Sequence, residues 1–455
     1  MSEWSRCTAR PRPACKVVQL AQLVFLVLLA WLGTAGSSAH AQAAAGQEPG
    51  VWSDSRPEDL QIKLVTFGPG NDIFNYFGHN AMIVEDRAQR MARLYNFGMF
   101  HFGVEMLPNY MKGKLTFWVA EAAVRPTFAH YHAANRSIRI QELSLTPERA
   151  RVVADALARA VLPENRDYLY DHFYNNCSTR LRDLVDEATE GQFKRALDHA
   201  ARMSYRQHIR RYAQRDPITD FGLVFWMNDF MEQPVKQWDE LFLPEELEHQ
   251  VARMHYRDAQ GQSQPLVSAT YNVFEADRPA TPAWPNRGYA MGLVVGSAIG
   301  LLALLTALWA RASQSTVPLR LLGLQNVLFG FVLGLPGLLG ALMWAFTEHT
   351  VTYRNENLLL SNPLTCALVP LGIGMLFNMP RAFRWARLVS YALAASSVLL
   401  LLLKLLPMFN QDTSLPMSVL LPANLGFALA QRNLVKRMAS AAASVGSPSQ
   451  VVPQA

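Results

Sequence analysis

Residues 174–180, Tyr-Asn-Asn-Cys-Ser-Thr-Arg, contain the one cysteine that the chain would keep outside the membrane after export. The apolar residues after it, Leu181, Leu184 and Val185, recur at helical spacing. A helix is therefore predicted to begin at Cys177 and to turn this residue inwards. A cysteine without a disulfide partner in an oxidising compartment is a candidate reactive thiol. The partial positive charge of a helix amino terminus favours its thiolate form.

Three segments before this cysteine alternate apolar and polar residues and predict strands; they span residues 62–67, 78–84 and 93–98. If the second and third strands form a hairpin centred between Arg87 and Ala88, His79 faces Asn96 across the sheet. An amide oxygen can accept a hydrogen bond from one imidazole nitrogen, and the other nitrogen can then interact with a thiol, as in other Cys-His-Asn sites. We therefore predict three catalytic residues: Cys177 as nucleophile, His79 as base and Asn96 as the group that orients His79.

Alternatives to this site remain open. A register shifted by one or two residues would bring Tyr95 or Phe97 to His79 instead. A cysteine on an apolar helix face is ordinarily a small buried hydrophobe. Other histidines compete for the role of base, namely His101, His130, His132 and His172. None of them comes with a suitably spaced acidic ligand, so we expect neither a metal ion nor a cofactor.

Composition divides the chain into two parts. Half of the residues are hydrophobic, but residues 50–285 have a mixed, globular composition and most of the remaining residues are apolar. The net charge of +6 includes no basic run, which argues against a nucleic-acid partner. We predict an extracytoplasmic domain at residues 50–285, a five-helix transmembrane domain at residues 286–437 and a disordered cytoplasmic tail at residues 438–455.

Five apolar stretches support the transmembrane prediction. The first, second and fourth are long enough to span as helices. The third and fifth contain Pro370 and Pro422, which spanning helices tolerate when neighbours satisfy the freed carbonyls. The stretches lie at about residues 289–310, 321–346, 358–377, 388–409 and 414–431.

Charge predicts the orientation of these stretches. If the globular part is outside, the outer loops carry only Arg354, and Lys404 lies near the outer end of the fourth stretch. The cytoplasmic segments carry eight cations, namely Arg311, Arg320, Arg381, Arg384, Arg387, Arg432, Lys436 and Arg437. Basic residues, an apolar run at 17–33 and the sequence Ala-His-Ala at 39–41 predict a secretory signal peptide at residues 1–41. An uncleaved anchor is the alternative. Both readings place the protein in the inner, cytoplasmic membrane as an integral, multi-pass protein.

The loop after the second apolar stretch concentrates polar residues at the membrane surface. Residues 347–350 read Thr-Glu-His-Thr, and residues 355–357 read Asn-Glu-Asn. They would provide a polar floor beneath the thiol that contacts lipid head groups, although ordinary loop and cap chemistry is the alternative. The predicted substrate- or lipid-binding residues are Asn176, Tyr95, His349, Asn355 and Asn357.

Several short motifs occur together in this chain, at residues 78–80 (Gly-His-Asn), 95–100 (Tyr-Asn-Phe-Gly-Met-Phe), 175–180 (Asn-Asn-Cys-Ser-Thr-Arg) and 241–244 (Leu-Phe-Leu-Pro), and as Asn355-x-Asn357. In this combination the chain resembles the Lnb family of membrane-bound lipoprotein N-acyltransferases. The resemblance implies an α+β, permuted papain-like extracytoplasmic domain followed by an all-α, five-span transmembrane domain. It also implies Cys177 as nucleophile and His79 as base.

The activity implied by the resemblance is acyl transfer through a thioester. Cys177 would take an acyl chain from a diacylglyceryl ester, and the free amine of a lipoprotein would receive it. Membrane lipids and lipoproteins are the expected partners. One alternative is a cysteine hydrolase, acting either as a lipid esterase or as a cell-wall amidase or peptidase. Another is a non-catalytic envelope protein that binds lipids or partners.

Overall fold

A computed structural model describes residues 51–100, 109 and 114–445. The predicted signal peptide and His101 lie outside these residues. The described residues of the globular part form nine strands: β1 (Leu60–Phe67), β2 (His79–Asp86), β3 (Met91–Met99), β4 (Thr116–Ala122), β5 (Ile138–Leu143), β6 (Asp167–Leu169), β7 (His255–Arg257), β8 (Ser263–Pro265) and β9 (Val267–Phe274). The three strands predicted before the cysteine are confirmed as β1, β2 and β3.

Helices accompany the strands in the globular part. They are α1 (Val124–Ala133), α2 (Pro147–Ala160), α3 (Cys177–Ala188), α4 (Gln192–Ala196), α5 (Tyr205–Ala213), α6 (Pro217–Trp226), α7 (Gln237–Glu240) and α8 (Pro244–Arg253). The apolar part contains α9 (Tyr289–Ala312), α10 (Val317–Val332), α11 (Gly334–Phe346), α12 (Pro363–Cys366), α13 (Leu368–Leu376), α14 (Pro380–Leu403) and α15 (Ser414–Val445).

A seven-stranded antiparallel sheet organises the globular part, with the strand order β6-β4-β3-β2-β1-β5-β9. Alternation along β1 sends Ile62 and Leu64 to one face and Val65 and Phe67 to the other. Helices α2 and α3 cover the first face, and α1 covers the second. The expected mixture of helices and strands is confirmed and includes an antiparallel sheet, on which the cysteine helix α3 packs; the permuted papain-like arrangement stays a prediction.

The β2–β3 hairpin has a different register from the one predicted. Ala81 lies opposite Asn96 and Asp86 opposite Met91, which is a shift of two residues. The predicted centre between residues 87 and 88 is wrong because the connection is a four-residue loop, 87–90. Its first part is held by a hydrogen bond from the Gln89 N–H to the Asp86 carboxylate at 2.8 Å, and Arg90 closes it with a φ of 53°.

The apolar part contains three helices long and apolar enough to cross a membrane among the described residues. They are Tyr289–Ala312, Val317–Phe346 and Pro380–Leu403. The segments Thr350–Leu359 and Pro363–Leu376, bent by 59°, would make a fourth span if they are counted as one. The fifth predicted stretch lies in α15, which is not among these candidates. Three to four candidate spans are therefore present, and five spans stay a prediction.

Helix α15 nevertheless packs closely along α9. A Cβ atom on Gly296 would come within 2.2 Å of the Val419 carbonyl oxygen, and one on Gly300 within 2.6 Å of the Pro422 carbonyl oxygen. Small residues permit such backbone contact between helices in a membrane. The helix also continues to Val445, where a disordered tail was predicted from residue 438 onwards. The alanine-rich sequence of residues 438–445 favours a helix, because alanine has the highest helix propensity, and the disordered tail stays a prediction.

Candidate active site

Cys177 is the first residue of α3, as predicted. Asn176 caps this helix, because its side-chain oxygen accepts hydrogen bonds from the N–H groups of Ser178 and Thr179, both at 2.9 Å. The Thr179 hydroxyl in turn accepts from the Asn176 N–H at 2.8 Å, which completes a capping box. The Asn176 amide group also donates to the carbonyl oxygens of His172 and Phe242. This cap fixes the direction in which the Cys177 side chain points from the helix.

A buried hydrogen-bonded chain ties the start of α3 to the sheet. The Ser178 hydroxyl donates to the Asn80 side-chain oxygen at 2.8 Å, and the Asn80 amide donates to the Thr66 hydroxyl at 3.0 Å. All three side chains are almost completely buried. Because Asn80 comes directly after His79 in β2, this chain holds the cysteine helix beside the strand that carries the histidine. Sequence reasoning missed both Asn80 and Ser178, although each neighbours a predicted catalytic residue.

His79 and Asn96 meet on one face of the sheet. The His79 Nε2 atom lies 3.1 Å from the Asn96 Oδ1 atom. An amide oxygen can only accept, so Nε2 carries the proton and Nδ1 is left for the thiol. The two residues are diagonal neighbours rather than directly opposite, since Asn96 pairs with Ala81. A two-residue shift keeps every side chain on its face, and for this reason the predicted contact forms in the corrected register.

The surroundings of Cys177 favour its thiolate. Burial by itself raises the pKa of the thiol, but the charge of His79, its hydrogen bond and the Asn80 backbone N–H together lower the pKa to about 7. The ordinary cysteine pKa is about 8.5. The Ser178 hydroxyl, 3.9 Å from the sulfur, adds to this effect. A large fraction of the thiol is therefore a nucleophile at neutral pH.

A row of aromatic rings extends from this thiol to the surface. Phe74, with 58% of its area exposed, lies 5.8 Å from Phe100 between ring centroids. Phe100 stacks on Phe117 at 5.0 Å, and Phe117 stacks on Tyr170 at 4.1 Å. Gly98 completes the row, because a Cβ atom there would lie 4.0 Å from the Tyr170 ring and 3.8 Å from the Cys177 Cβ. The thiol is thus adjacent to an apolar, partly open wall.

Two predicted binding residues have structural contacts instead. Tyr95 is completely buried in the core, and its hydroxyl accepts a hydrogen bond from the Trp52 indole at 2.9 Å. Asn176 is buried, and both ends of its amide are used by the helix cap and its carbonyl partners. Neither residue presents a free polar group to a ligand. The fold itself uses the polar groups of both side chains, and their contact with a substrate stays a prediction.

The loop residues Asn355 and Asn357 join the two parts of the chain. Their amide groups donate to the Phe225 carbonyl oxygen at the end of α6, at 2.8 and 3.0 Å. The Gln411 amide donates to Asn355 and to the Met227 carbonyl oxygen, both at 2.9 Å. We call Asn355, Asn357 and Gln411 the joint. All three are buried, and contact of the two asparagines with a lipid or substrate stays a prediction.

His349 remains a candidate contact for lipid or substrate. It is partly buried and lies close enough to His172 for their charges to interact. His172 belongs to the turn that leads into the cysteine helix, and its carbonyl oxygen accepts from Asn176. The outer loop therefore approaches the thiol site. Two other histidines that competed as bases, His130 and His132, are exposed on α1, and no group of three or more metal-ligating side chains occurs in residues 51–100, 109 and 114–445.

One family of known proteins matches this domain. Residues 51–214 match the model of the family described as Lnb N-terminal periplasmic domain. The matched range contains Cys177, His79 and Asn96 with their supporting hydrogen bonds. No curated protein and no solved structure matches the chain. Residues 51–214 are thus similar to the Lnb N-terminal periplasmic domain.

Proposed function

We propose that this protein is a membrane-bound thiol acyltransferase that moves an acyl chain from a diacylglyceryl ester to an amine. The observation that carries the proposal is the meeting of Cys177, His79 and Asn96 at the start of α3. A thiol of lowered pKa beside an oriented imidazole is the arrangement used for nucleophilic catalysis. The joint attaches this arrangement to apolar helices, which suits a substrate held in a bilayer.

In the first half-reaction, the Cys177 sulfur attacks the carbonyl carbon of an ester. The S–C bond forms, the ester C–O bond breaks, and the leaving glycerol oxygen takes a proton from the His79 imidazolium. Asn96 keeps the imidazole in position through Nε2. The product of this step is an acyl thioester on Cys177 and a lyso-lipid alcohol.

In the second half-reaction, an amine attacks the thioester. The N–C bond forms, the C–S bond breaks, and neutral His79 accepts the proton that the amine loses. The thiolate and the imidazolium are restored together. A lipoprotein whose amino terminus is free supplies both the ester and the amine, and its product is an N-acylated lyso-lipoprotein.

The aromatic row supports an acyl chain as the transferred group. Phe74, Phe100, Phe117 and Tyr170 form an apolar wall that ends at the thiol. Burial of a methylene group against such a wall contributes about 0.8 kcal/mol. A peptide substrate would instead need polar partners for its backbone, so the wall favours a lipid over a cell-wall peptide.

The proposed location is the inner membrane, with the thiol site in the periplasm. Three to four candidate spans and the periplasmic domain family support this location. The proposed contacts are membrane lipids and lipoproteins, which would approach past the outer loop that contains His349. The excess of cations in the predicted cytoplasmic segments agrees with this orientation.

A product assay tests the proposal. The full chain in detergent would be mixed with a synthetic diacylglyceryl lipopeptide, and the products identified by mass spectrometry. N-acylated lyso-lipopeptide is the expected product. Free fatty acid and lyso-lipopeptide without N-acylation would show a lipid hydrolase instead. An unchanged lipopeptide, with an unmodified thiol, would favour a binding protein.

A further inference from the structure

Acyl transfer creates an oxyanion, and the start of α3 offers few donors to hold it. An oxyanion is usually stabilised by two or more preorganised hydrogen-bond donors. The N–H groups of Ser178 and Thr179 are already engaged by the Asn176 side chain. The Asn80 N–H is directed at the sulfur. The Cys177 N–H is not used by the cap, so at least one further donor must come from another element.

Tyr131, on helix α1, is placed to supply that donor. Its ring stacks on Phe67 at 3.6 Å between centroids and lies parallel to the His79 ring at 6.4 Å and 8°. The ring is partly exposed, and its hydroxyl group has no hydrogen-bond partner among the residues that the structure describes. The charge of the Cys177 thiolate acts on this hydroxyl. A free phenolic donor therefore lies beside the base and near the nucleophile.

The hydroxyl of Tyr131 keeps its proton in this environment. Burial raises the pKa of Tyr131, Arg136 lowers that pKa less strongly, and the thiolate of Cys177 raises it further. A phenol with a raised pKa stays protonated at neutral pH and acts as a donor. It can then donate a hydrogen bond to the carbonyl oxygen of the substrate as negative charge moves there from the sulfur.

Arg136 holds this tyrosine from the other side. Its guanidinium lies 4.7 Å from the centroid of the Tyr131 ring, in a cation–π contact. Two of its nitrogens donate to the Gly68 carbonyl oxygen at 2.8 Å and to the Asn75 side-chain oxygen at 2.6 Å. The third nitrogen, Nη2, is buried without a partner among the described residues. Arg136 is only 5% exposed and forms no ion pair with a described carboxylate.

A buried guanidinium without a carboxylate is costly, and such a group calls for an explanation. The charge of Arg136 also interacts with Cys177. Its position therefore provides positive potential on the side of the site where negative charge develops. A carboxylate partner would neutralise the Arg136 charge permanently. Without one, water can balance the charge before the reaction, and the anionic transition state can balance it during the reaction.

We propose that Tyr131 is a further catalytic residue, whose hydroxyl donates a hydrogen bond to the oxyanion formed from the ester carbonyl. Arg136 is the positioning residue that fixes the Tyr131 ring and adds positive potential. The tyrosine keeps its proton throughout, so the bonds made and broken are those of the thiol acyl transfer. The inference rests on the proposed function, because it concerns the tetrahedral intermediate of that reaction.

The test compares Tyr131→Phe with the unchanged full chain in two reactions. Acyl-adduct formation on Cys177 from a diacylglyceryl lipopeptide should slow by about 10²- to 10³-fold, the usual effect of removing one oxyanion donor. Alkylation of Cys177 by iodoacetamide forms no oxyanion and should keep its rate and its pH midpoint. Arg136→Gln should slow acylation, and Arg136→Lys should recover part of the loss.

Tyr256→Phe provides a matched control. Tyr256, which is buried, likewise has an arginine, Arg149, over its ring at 5.2 Å, and its hydroxyl donates to the Ser144 carbonyl oxygen at 2.6 Å. The charges that act on Tyr256 are those of Arg149 and Asp258 rather than that of Cys177, so loss of its hydroxyl should leave acylation unchanged.

Three results would overturn either the role of Tyr131 or the proposed function on which that role rests. If Tyr131→Phe acylates within twofold of the unchanged chain, the hydroxyl does not hold the oxyanion. If Tyr131→Phe slows alkylation as much as acylation, the residue supports the thiol rather than the intermediate. If the unchanged chain forms no adduct while its thiol alkylates normally, the proposed function fails, and the oxyanion role fails with it.

Discussion

The thiol site and the joint are both clusters of buried polar residues, but they use their hydrogen-bonding groups differently. In the joint, the side-chain amides of Asn355, Asn357 and Gln411 all donate to oxygens within the chain, and the group without a partner among the described residues is an acceptor, Asn357 Oδ1. At the thiol site, the Tyr131 hydroxyl and one Arg136 nitrogen have no partner among the described residues. Engaged groups stabilise a fold, whereas unengaged groups beside a nucleophile are available to a substrate.

Loss of the nucleophile at the thiol site should lower the activity more than any other change in either region. Cys177→Ala should abolish the formation of N-acylated lyso-lipopeptide, because no other side chain of the site can form the thioester. Cys366→Ala is the matched control, since Cys366 is the other free cysteine of the described residues and lies in α12. It should keep full activity. Product formation by Cys177→Ala would contradict the account.

Removal of His79 should have the next largest effect. His79→Ala should lower the rate of acyl transfer by about 10²- to 10⁴-fold, the usual contribution of general acid–base catalysis. Its effect on the thiol gives an independent measurement. In the unchanged chain, the alkylation rate should rise with pH and reach half its maximum near pH 7, where the thiolate forms.

In His79→Ala, the same midpoint should move upwards. The histidine charge and hydrogen bond that lower the pKa of Cys177 are then absent, and burial raises it. The midpoint should lie at or above the ordinary cysteine pKa of about 8.5. Iodoacetamide alkylation followed by intact-mass spectrometry measures it. A midpoint that stays near pH 7 would show that His79 does not act on the thiol.

Loss of the orienting amide should have a smaller effect. Asn96→Ala removes one hydrogen bond to His79. Such a bond contributes about 1 kcal/mol, so acyl transfer should slow by about fivefold. Asn96→Asp is the comparison, because a carboxylate still accepts from Nε2 and should retain more activity than alanine. Equal rates for Asn96→Ala and the unchanged chain would remove Asn96 from the site.

A change in the joint should leave the chemistry intact and lower stability. Asn355→Ala removes one of the two acceptors of the Gln411 amide and the side-chain acceptor of the Asn357 N–H, and the free energy of unfolding should fall by about 1–3 kcal/mol. Asn433→Ala, which removes a bond to the preceding turn of its own helix, should have almost no effect. Thermal unfolding in detergent and alkylation of Cys177 measure the two properties. A slower alkylation in Asn355→Ala would connect the joint to the site.

The parts of the site that depend on short-range pattern could be predicted from sequence. The helix at Cys177 is predicted by apolar spacing, and the contact of His79 with Asn96 by strand periodicity. The hairpin register was wrong by two residues, but a period of two preserves the face. A shift of one residue would turn Asn96 away from His79. The contact is preserved because the register is shifted by an even number of residues.

The parts that depend on distant contacts could not be predicted. From residue type alone, asparagines in an outer loop could equally well bind a lipid or cap the end of a helix. Only the folded chain brings Asn355 to Phe225, which precedes it by 130 residues. In sequence, Tyr131 lies between His130 and His132, which are themselves candidate bases or metal ligands. The stacking of Tyr131 on Phe67 depends on the packing of α1 against the sheet.

The most direct test of the account is to trap the acyl-enzyme. The full chain would be incubated with a diacylglyceryl lipopeptide whose amino terminus is acetylated, so that no acceptor amine is present. The account predicts a mass increase of one acyl chain, located on the peptide that contains Cys177 and removed by hydroxylamine as expected for a thioester. An unmodified Cys177, or an adduct on any other residue, would contradict it.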